Sequence, residues 1–116
     1  MKILNHVTLI GNLGKDPEIV VMASGDKKAS FSLATTESWM DGNGEKREKT
    51  EWHNIVAWKG QANTVEKCLK KGNKVCIEGK IQTRSWEVDG EKHWMTEINC
   101  SNIVLLGSKN KTEESA

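Results

Sequence analysis

Apolar and polar residues alternate with a period of two along most of this chain. That is the spacing of half-buried β-strands. Residues 3–13 carry Ile3, Leu4, Val7, Leu9, Ile10 and Leu13, a first long strand in which Gly11 marks a bulge or bend. Residues 18–22 (E-I-V-V-M) are a short strand, turned by Ser24, Gly25 and Asp26 into residues 29–36, where Phe31 and Leu33 alternate with Ser30, Ser32 and Ala34. Residues 37–49 are polar and contain glycines, and they read as a mobile hairpin tip with Trp39 at its base. In residues 50–58 (T-E-W-H-N-I-V-A-W), Trp52, Asn54, Val56 and Trp58 share one strand face and His53, Ile55 and Ala57 the other. The spacing changes once. Ala62, Val65, Cys68 and Leu69 recur at three and four, predicting one short helix over 61–71, with Lys70 and Lys71 at its C-terminal dipole and Gly72 at C′.

A long strand follows over 73–88. Val75, Ile77, Gly79 and Ile81 lie on one face, and Cys76, Glu78, Lys80, Gln82, Arg84 and Trp86 on the other. Asp89-Gly90 is a hairpin turn signal, residues 93–99 return with Trp94, Met95 and Ile98, and residues 103–106 (I-V-L-L) are expected to close the core. The chain thus reads as all-β with one short helix. A helix between the third and fourth long strands of a mainly antiparallel chain predicts a five-stranded OB-type barrel with long hairpin loops. Residues 1–107 form that domain, and residues 108–116 are a short polar tail expected to be disordered.

Composition then narrows the function. Of six aromatic residues five are Trp, with one Phe and no Tyr. A core selected for packing alone would draw on Phe and Tyr too, so the bias points to a surface that stacks planar rings. With 17 Lys and Arg against 16 Asp and Glu the formal charge is +1, which is not the footprint of a protein that binds polyanions by bulk charge. Cys68, Cys76 and Cys100 lack paired spacing, and His6, His53 and His93 are scattered, so no metal site or cofactor is expected; the thiols fit a reducing compartment. The glycines of G-N-L-G-K-D (residues 11–16) have two residues between them where a phosphate loop needs four, and Asp follows the Lys. No acid pair or Ser/His/Asp set marks an enzyme. No apolar run approaches the roughly 20 residues of a membrane span, and the N-terminus lacks a signal-peptide pattern, so a cytoplasmic protein is expected.

What remains is aromatic rings interleaved with cations: Trp52 and Trp58 on one strand face, Trp86 with Arg84 and Lys80 on another, and Trp39 at a loop base. Such a surface stacks unpaired bases and tracks their phosphates, at about 1–3 kcal/mol per stacked base. The same residues carry a resemblance. N-x-V-T-L-I-G-N-L-G-K-D-P-E (5–18), F-S-L-A-T-T-E-S-W (31–39), T-E-W-H-N-I-V-A-W (50–58) and L-K-K-G-N-K-V-C-I-E-G-K-I-Q-T-R-S-W (69–86) resemble the bacterial-type single-stranded DNA-binding proteins, in order, over nearly all of residues 3–107.

The resemblance implies an OB-fold subunit of a homotetramer that wraps single-stranded DNA without sequence preference in replication, recombination and repair. It places base stacking on Trp39, Trp52, Trp58 (usually Phe in the family) and Trp86, and basic contacts on Lys2, Lys71 and Arg84. It places His53 at a subunit interface, with the first strand, bearing Leu4, Val7 and Leu9, pairing between copies. The chain departs from the pattern at Asn54 and Gln82, where basic residues are usual, and Lys59 is one position off the usual lysine. Each lost ion pair is expected to flatten the log–log salt slope by about 0.7. The sequence stops at K-N-K-T-E-E-S-A, without the usual acidic partner-docking tip, as in a phage, plasmid or otherwise specialised member, or a truncated chain. The competing reading is an OB-type protein-interaction module of a primosome-like assembly, which would not need Arg84 beside Trp86.

Overall fold

The structure, a computed structural model, describes residues 4–107; Lys2 and the polar tail over 108–116 lie outside the described residues. Six strands and a helix follow in the order β1 (Val7–Leu13), β2 (Glu18–Val21), β3 (Lys27–Met40), β4 (Lys46–Trp58), α1 (Gly60–Cys68), β5 (Lys74–Val88) and β6 (Glu91–Gly107). They form one sheet in the order β1-β5-β6-β4-β3-β2. β1 also pairs β3, through Asn12↔Ala34 and Leu13↔Leu33. That second pairing closes five strands into a barrel and leaves β2 flanking β3, the OB architecture expected from the order of elements. β4 and β6 meet in a short parallel seam, Ile55↔Ile98 and Val56↔Asn99.

Glycine makes the closure possible. A Cβ on Gly11 would lie 2.2 Å from the Ala34 carbonyl oxygen, so only glycine lets β1 cross from β5 to β3 at that point. Inside the barrel, alternate residues of each strand meet: Ala29, Phe31 and Leu33 from β3, Ile55 and Ala57 from β4, Val75 and Ile77 from β5, Ile98 and Cys100 from β6. Ala62 and Val65 of α1, with Leu69 just beyond it, join the same core.

Three expectations are corrected here. The helix ends at Cys68; Leu69 is already extended (φ −108°, ψ 143°), and Lys70 and Lys71 lie past its end. Gly72, at φ 89°, serves a turn instead of the helix terminus. The reason is the buried Asn73, whose side-chain oxygen accepts the Lys70 N–H at 2.8 Å and whose carbonyl accepts the Leu13 N–H at 3.0 Å. Satisfying both requires the chain to leave the helix early. Second, Val104, Leu105 and Leu106 are exposed, and only Ile103 packs on the core. A strand cannot turn four consecutive residues to one side, and β6 carries two register shifts against β5 along this stretch.

Third, most of residues 37–49 is not loop. β3 and β4 stay paired out to Met40↔Lys46, and only residues 41–45 turn. Asp41 holds that turn. Its carboxylate accepts the N–H groups of Asn43 (2.9 Å) and Glu45 (3.0 Å) and the Nε of Arg47 (2.7 Å). The Glu45 and then the Arg47 bonds hold its pKa below the usual 3.8. The β5–β6 hairpin is equally regular, running to Val88↔Glu91 around Asp89 (φ 52°) and Gly90 (φ 83°), the two positive φ angles of a type I′ turn. Two long two-stranded arms therefore project from the barrel, and they position the site.

Candidate nucleic-acid interface

The first half of the site is the outer face of β3 and β4. The register Lys28↔Trp58, Ser30↔Val56, Ser32↔Asn54 and Ala34↔Trp52 sets these eight residues on one side of the sheet. Trp52 is 60% exposed, although nothing on β3 opposite it is larger than Ala34. Its ring lies across Gly14, where a Cβ would come within 2.5 Å of Cζ3. The backbone of Gly14, tied to Ser32 by an N–H···O bond of 3.1 Å, is thus the floor under the indole. Trp58 is half-buried, and the Lys28 Nζ stands 5.6 Å from its ring centroid. His53 points away from this face, as its parity predicts, and its Nε2 is 2.9 Å from the Thr35 hydroxyl.

The second half is the β5–β6 arm. Arg84, Met95 and Glu97 line an open groove of about 590 Å³ together with Lys15, Lys28 and Asn54. Trp58 and Gln82 line its continuation. Trp86 follows on the same side of the arm, 39% exposed, with the Arg84 guanidinium 4.9 Å from its centroid and the His93 ring stacked beside it at 5.7 Å. Arg84 does not float. Its Nε is 3.2 Å from Glu97 Oε2. Acids and bases alternate around the groove, with Asp16, Glu18 and Glu97 among Lys15, Lys28 and Arg84. Its polarity is mixed, in keeping with the chain's near-neutral charge; Trp58 lines it, while Trp52 stands two residues beyond the lining Asn54 on the same face and Trp86 two residues beyond the lining Arg84.

The other predicted residues fall less tidily. Trp39, 48% exposed, pairs with Arg47 near the tip of the β3–β4 arm, on the opposite pleat from Trp52. Hairpin length decides this: the ladder runs through most of residues 37–49, which are polar on both faces and so resemble a loop. Lys80 is exposed and pairs with Asn99 at the root of the β5–β6 arm. Lys71 is exposed beside the Lys15–Asp16 end of the groove, its N–H donating to Asp16 Oδ1 at 2.8 Å. Gln82 is engaged with Asn99 at 3.2 Å. Of the first-strand set, Leu4 is 86% exposed, whereas Val7 and Leu9 pack on the chain's own core; Ile10 is the exposed apolar residue of β1.

Lys28, Gly14 and Glu97 were not foreseen, because only the strand register brings them to Trp58, Trp52 and Arg84. Trp94 carries no signal in the sequence beyond membership of a strand. Its exposure shows only once the phase of β6 is known. The three cysteines are free, and burial pushes the Cys100 thiol up to about 11. Among the described residues no group of His, Cys, Asp and Glu is placed to hold a metal ion, and no helix is long and apolar enough to cross a membrane.

Comparison with known proteins bears on the family and on the barrel. The Single-strand binding protein family matches residues 4–106. The chain belongs to this family. It is 49% identical over 108 residues to single-stranded DNA-binding protein 1 of Chlorobaculum tepidum, covering 91% of this chain and 67% of that protein. To single-stranded DNA-binding protein 1 of Xylella fastidiosa it is 43% identical over 111 residues, covering 94% and 82%. Among solved structures it is similar to the Plasmodium falciparum SSB in complex with ssDNA, with a TM-score of 0.81 and 38% identity over 91% of this chain and 97% of that one. The Single-strand binding family match spans both arms, so it includes every described residue of the groove.

Proposed function

We propose that this protein binds single-stranded DNA without sequence preference and protects it during replication, recombination and repair. It acts by binding, not by catalysis. The observation that carries the reading is a groove lined by Trp58, Lys28 and Arg84, with exposed Trp52 on the same sheet face and exposed Trp86 on the same side of the arm as Arg84. Unpaired bases stack on the indoles while the cations meet phosphates, and a duplex, whose base faces are already stacked, has nothing to offer the rings. Trp39 with Arg47 offers a further ring and cation on the other face of the β3–β4 arm, and Lys80, Lys71 and Lys2 supply further charge.

Two features support assembly from several copies, a homotetramer by family resemblance. Among the described residues the edge of β1 opposite β5 is unpaired over residues 7–11, and Leu4 and Ile10 are exposed. A second copy adding its own β1 along that edge would cover them, with Val7 and Leu9 fixing the strand from within and His53 near the contact. The setting is the cytoplasm of a bacterial cell, whether the gene is chromosomal or carried by a phage or plasmid.

The test is intrinsic Trp fluorescence during titration with poly(dT) at two salt concentrations, with duplex DNA as control. Strong quenching by the single strand alone, largely surviving salt, is the expected result. No quenching by any nucleic acid would overturn the reading in favour of a protein-interaction module.

A further inference from the structure

The β5–β6 arm has a second face that the groove does not use. In its register Trp86 stands opposite His93 and Ser85 opposite Trp94, so successive pairs point to alternate sides. Arg84, Trp86 and His93 face the groove side. Trp94 and Lys92 face the other, with Thr83 and Thr96 joined there by a hydroxyl–hydroxyl bond of 3.0 Å. Trp94 is 65% exposed, more than any other Trp of the chain. The Lys92 Nζ lies 5.8 Å from its ring centroid, and among the described residues Lys92 makes no ion pair. The far face thus carries one open indole with a cation at its ring; the register sets Glu87 opposite Lys92, without an ion pair between them, whereas Arg84 beside Trp86 is paired with Glu97.

The two faces are connected. β5 pairs β1 only up to Gly79, and β6 pairs β4 only at Ile98 and Asn99. The Asn5 side chain covers the β5 edge at Ile81, its Nδ2 donating to the Ile81 carbonyl and its Oδ1 accepting the Ile81 N–H, each at 3.0 Å. Past Ile81 and Ile98 neither edge of the arm pairs with another strand among the described residues, and a polynucleotide can pass from Trp86 round the ribbon to Trp94 without crossing the barrel.

We propose that Trp94 and Lys92 form an additional stacking site for single-stranded DNA on the far face of the β5–β6 arm. A strand leaving the groove at Trp86 folds over the ribbon edge, stacks a further base on Trp94 and sets a phosphate against Lys92. This rests on the groove being the primary single-strand site. It assigns the fifth Trp to the same ligand and makes affinity depend on strand length.

The experiment compares Trp94→Ala and Trp94→Phe with the unaltered chain and with Trp52→Ala, using poly(dT) and a dT oligomer of about 8 nucleotides, inside the roughly 4–16-nucleotide range of one OB fold. Light-scattering mass is measured on each variant. Trp94→Ala is expected to bind the short oligomer like the unaltered chain and poly(dT) about 5- to 150-fold more weakly. Trp94→Phe should restore most of the loss, and the mass should not change. Equal poly(dT) affinity in Trp94→Ala, alongside a weakened Trp52→Ala, overturns this site and leaves the groove standing. A fall in mass in Trp94→Ala also overturns it, since Trp94 would then be covered by another copy of the chain. Failure of the unaltered chain to bind either strand overturns the groove and this site together.

Discussion

Glu97 sits where a DNA-binding groove should least want an acid, and replacing it with Gln is the sharpest test of how the groove works. Its Oε2 is 3.2 Å from Arg84 Nε, with the Glu97 side chain 15% exposed and that of Arg84 51% exposed. A phosphate reaching the outer guanidinium nitrogens of Arg84 would stand about 7 Å from that carboxylate, given ordinary charge-assisted bond lengths. Coulomb repulsion at this separation is about 0.6 kcal/mol in bulk water and about 2.4 kcal/mol at an effective dielectric of 20. Salt at physiological strength, with its Debye length of about 8 Å, roughly halves the exposed share. A net penalty of about 1 kcal/mol follows, or about fivefold in affinity. Gln is the right replacement because its side-chain carbonyl still accepts from Arg84 Nε, so the guanidinium stays over Trp86 while the charge goes. Fluorescence titration with dT oligomers should show Glu97→Gln binding about fivefold tighter at low salt, with a log–log salt slope steeper by up to about 0.7 as Arg84 becomes a full phosphate ligand. Unchanged or weaker binding would refute the reasoning. It would mean that Glu97 matters as the anchor that aims Arg84, and that its charge is not felt by the DNA.

Other outcomes follow from single contacts. Gly14→Ala places a methyl within 2.5 Å of the Trp52 ring, so the indole should swing off its floor; titration should show up to about 1–3 kcal/mol of binding lost while thermal stability barely moves, because a surface ring can yield. Asp41 ionises below its usual 3.8 in the folded chain, so the turn it clamps is strongest above that pH and loosens as pH falls through the lowered value; an NMR titration of its carboxyl should find the depressed midpoint, and one at or above 3.8 would count against the clamp. Cys100 is raised from 9.0 to about 11, so the fold is favoured below pH 9.0 and loses that contribution as pH rises towards 11; a thiol reagent at neutral pH should modify exposed Cys68 and spare buried Cys100 until the chain unfolds.

The residues that strand parity alone governs were legible in the sequence. Trp52, Asn54, Val56 and Trp58 share a face, and His53, Ile55 and Ala57 oppose it, because period two admits no other arrangement. The barrel followed from the single helix lying between the third and fourth long strands. What parity cannot supply is phase against a neighbour. Val7 and Leu9 share a side in any reading, but only the pairing with β5 and the closure onto β3 show that side to be the interior. Trp39 could be placed only by knowing that the β3–β4 ladder continues to Met40↔Lys46. Residues 37–49 look like loop because they are polar on both faces, which is what an arm projecting into solvent requires. The same blindness hid Trp94, since an arm that is exposed on both sides offers no hydrophobic contrast from which to tell its faces apart.

The pairing of each cation with a ring bears on how a nearly neutral protein holds a polyanion. In the free protein Lys28 lies over Trp58 and Arg84 over Trp86, each on a ring that a base would use. Such a contact at an exposed site is worth about 0.5–1 kcal/mol, and a stacked base about 1–3 kcal/mol. A base can therefore displace the cation and still gain. The displaced ammonium or guanidinium is not lost to solvent, because its stem keeps it within reach of the phosphate that follows the base. In the proposed binding mode, stacking and charge neutralisation are one event at each ring, and a cation is delivered only where a base has arrived. A duplex brings phosphates but no free base face, so it leaves Lys28 and Arg84 on their rings. Selectivity for the single strand then needs no excess of positive charge, and it fits a groove in which Asp16, Glu18 and Glu97 stand among the bases that line it.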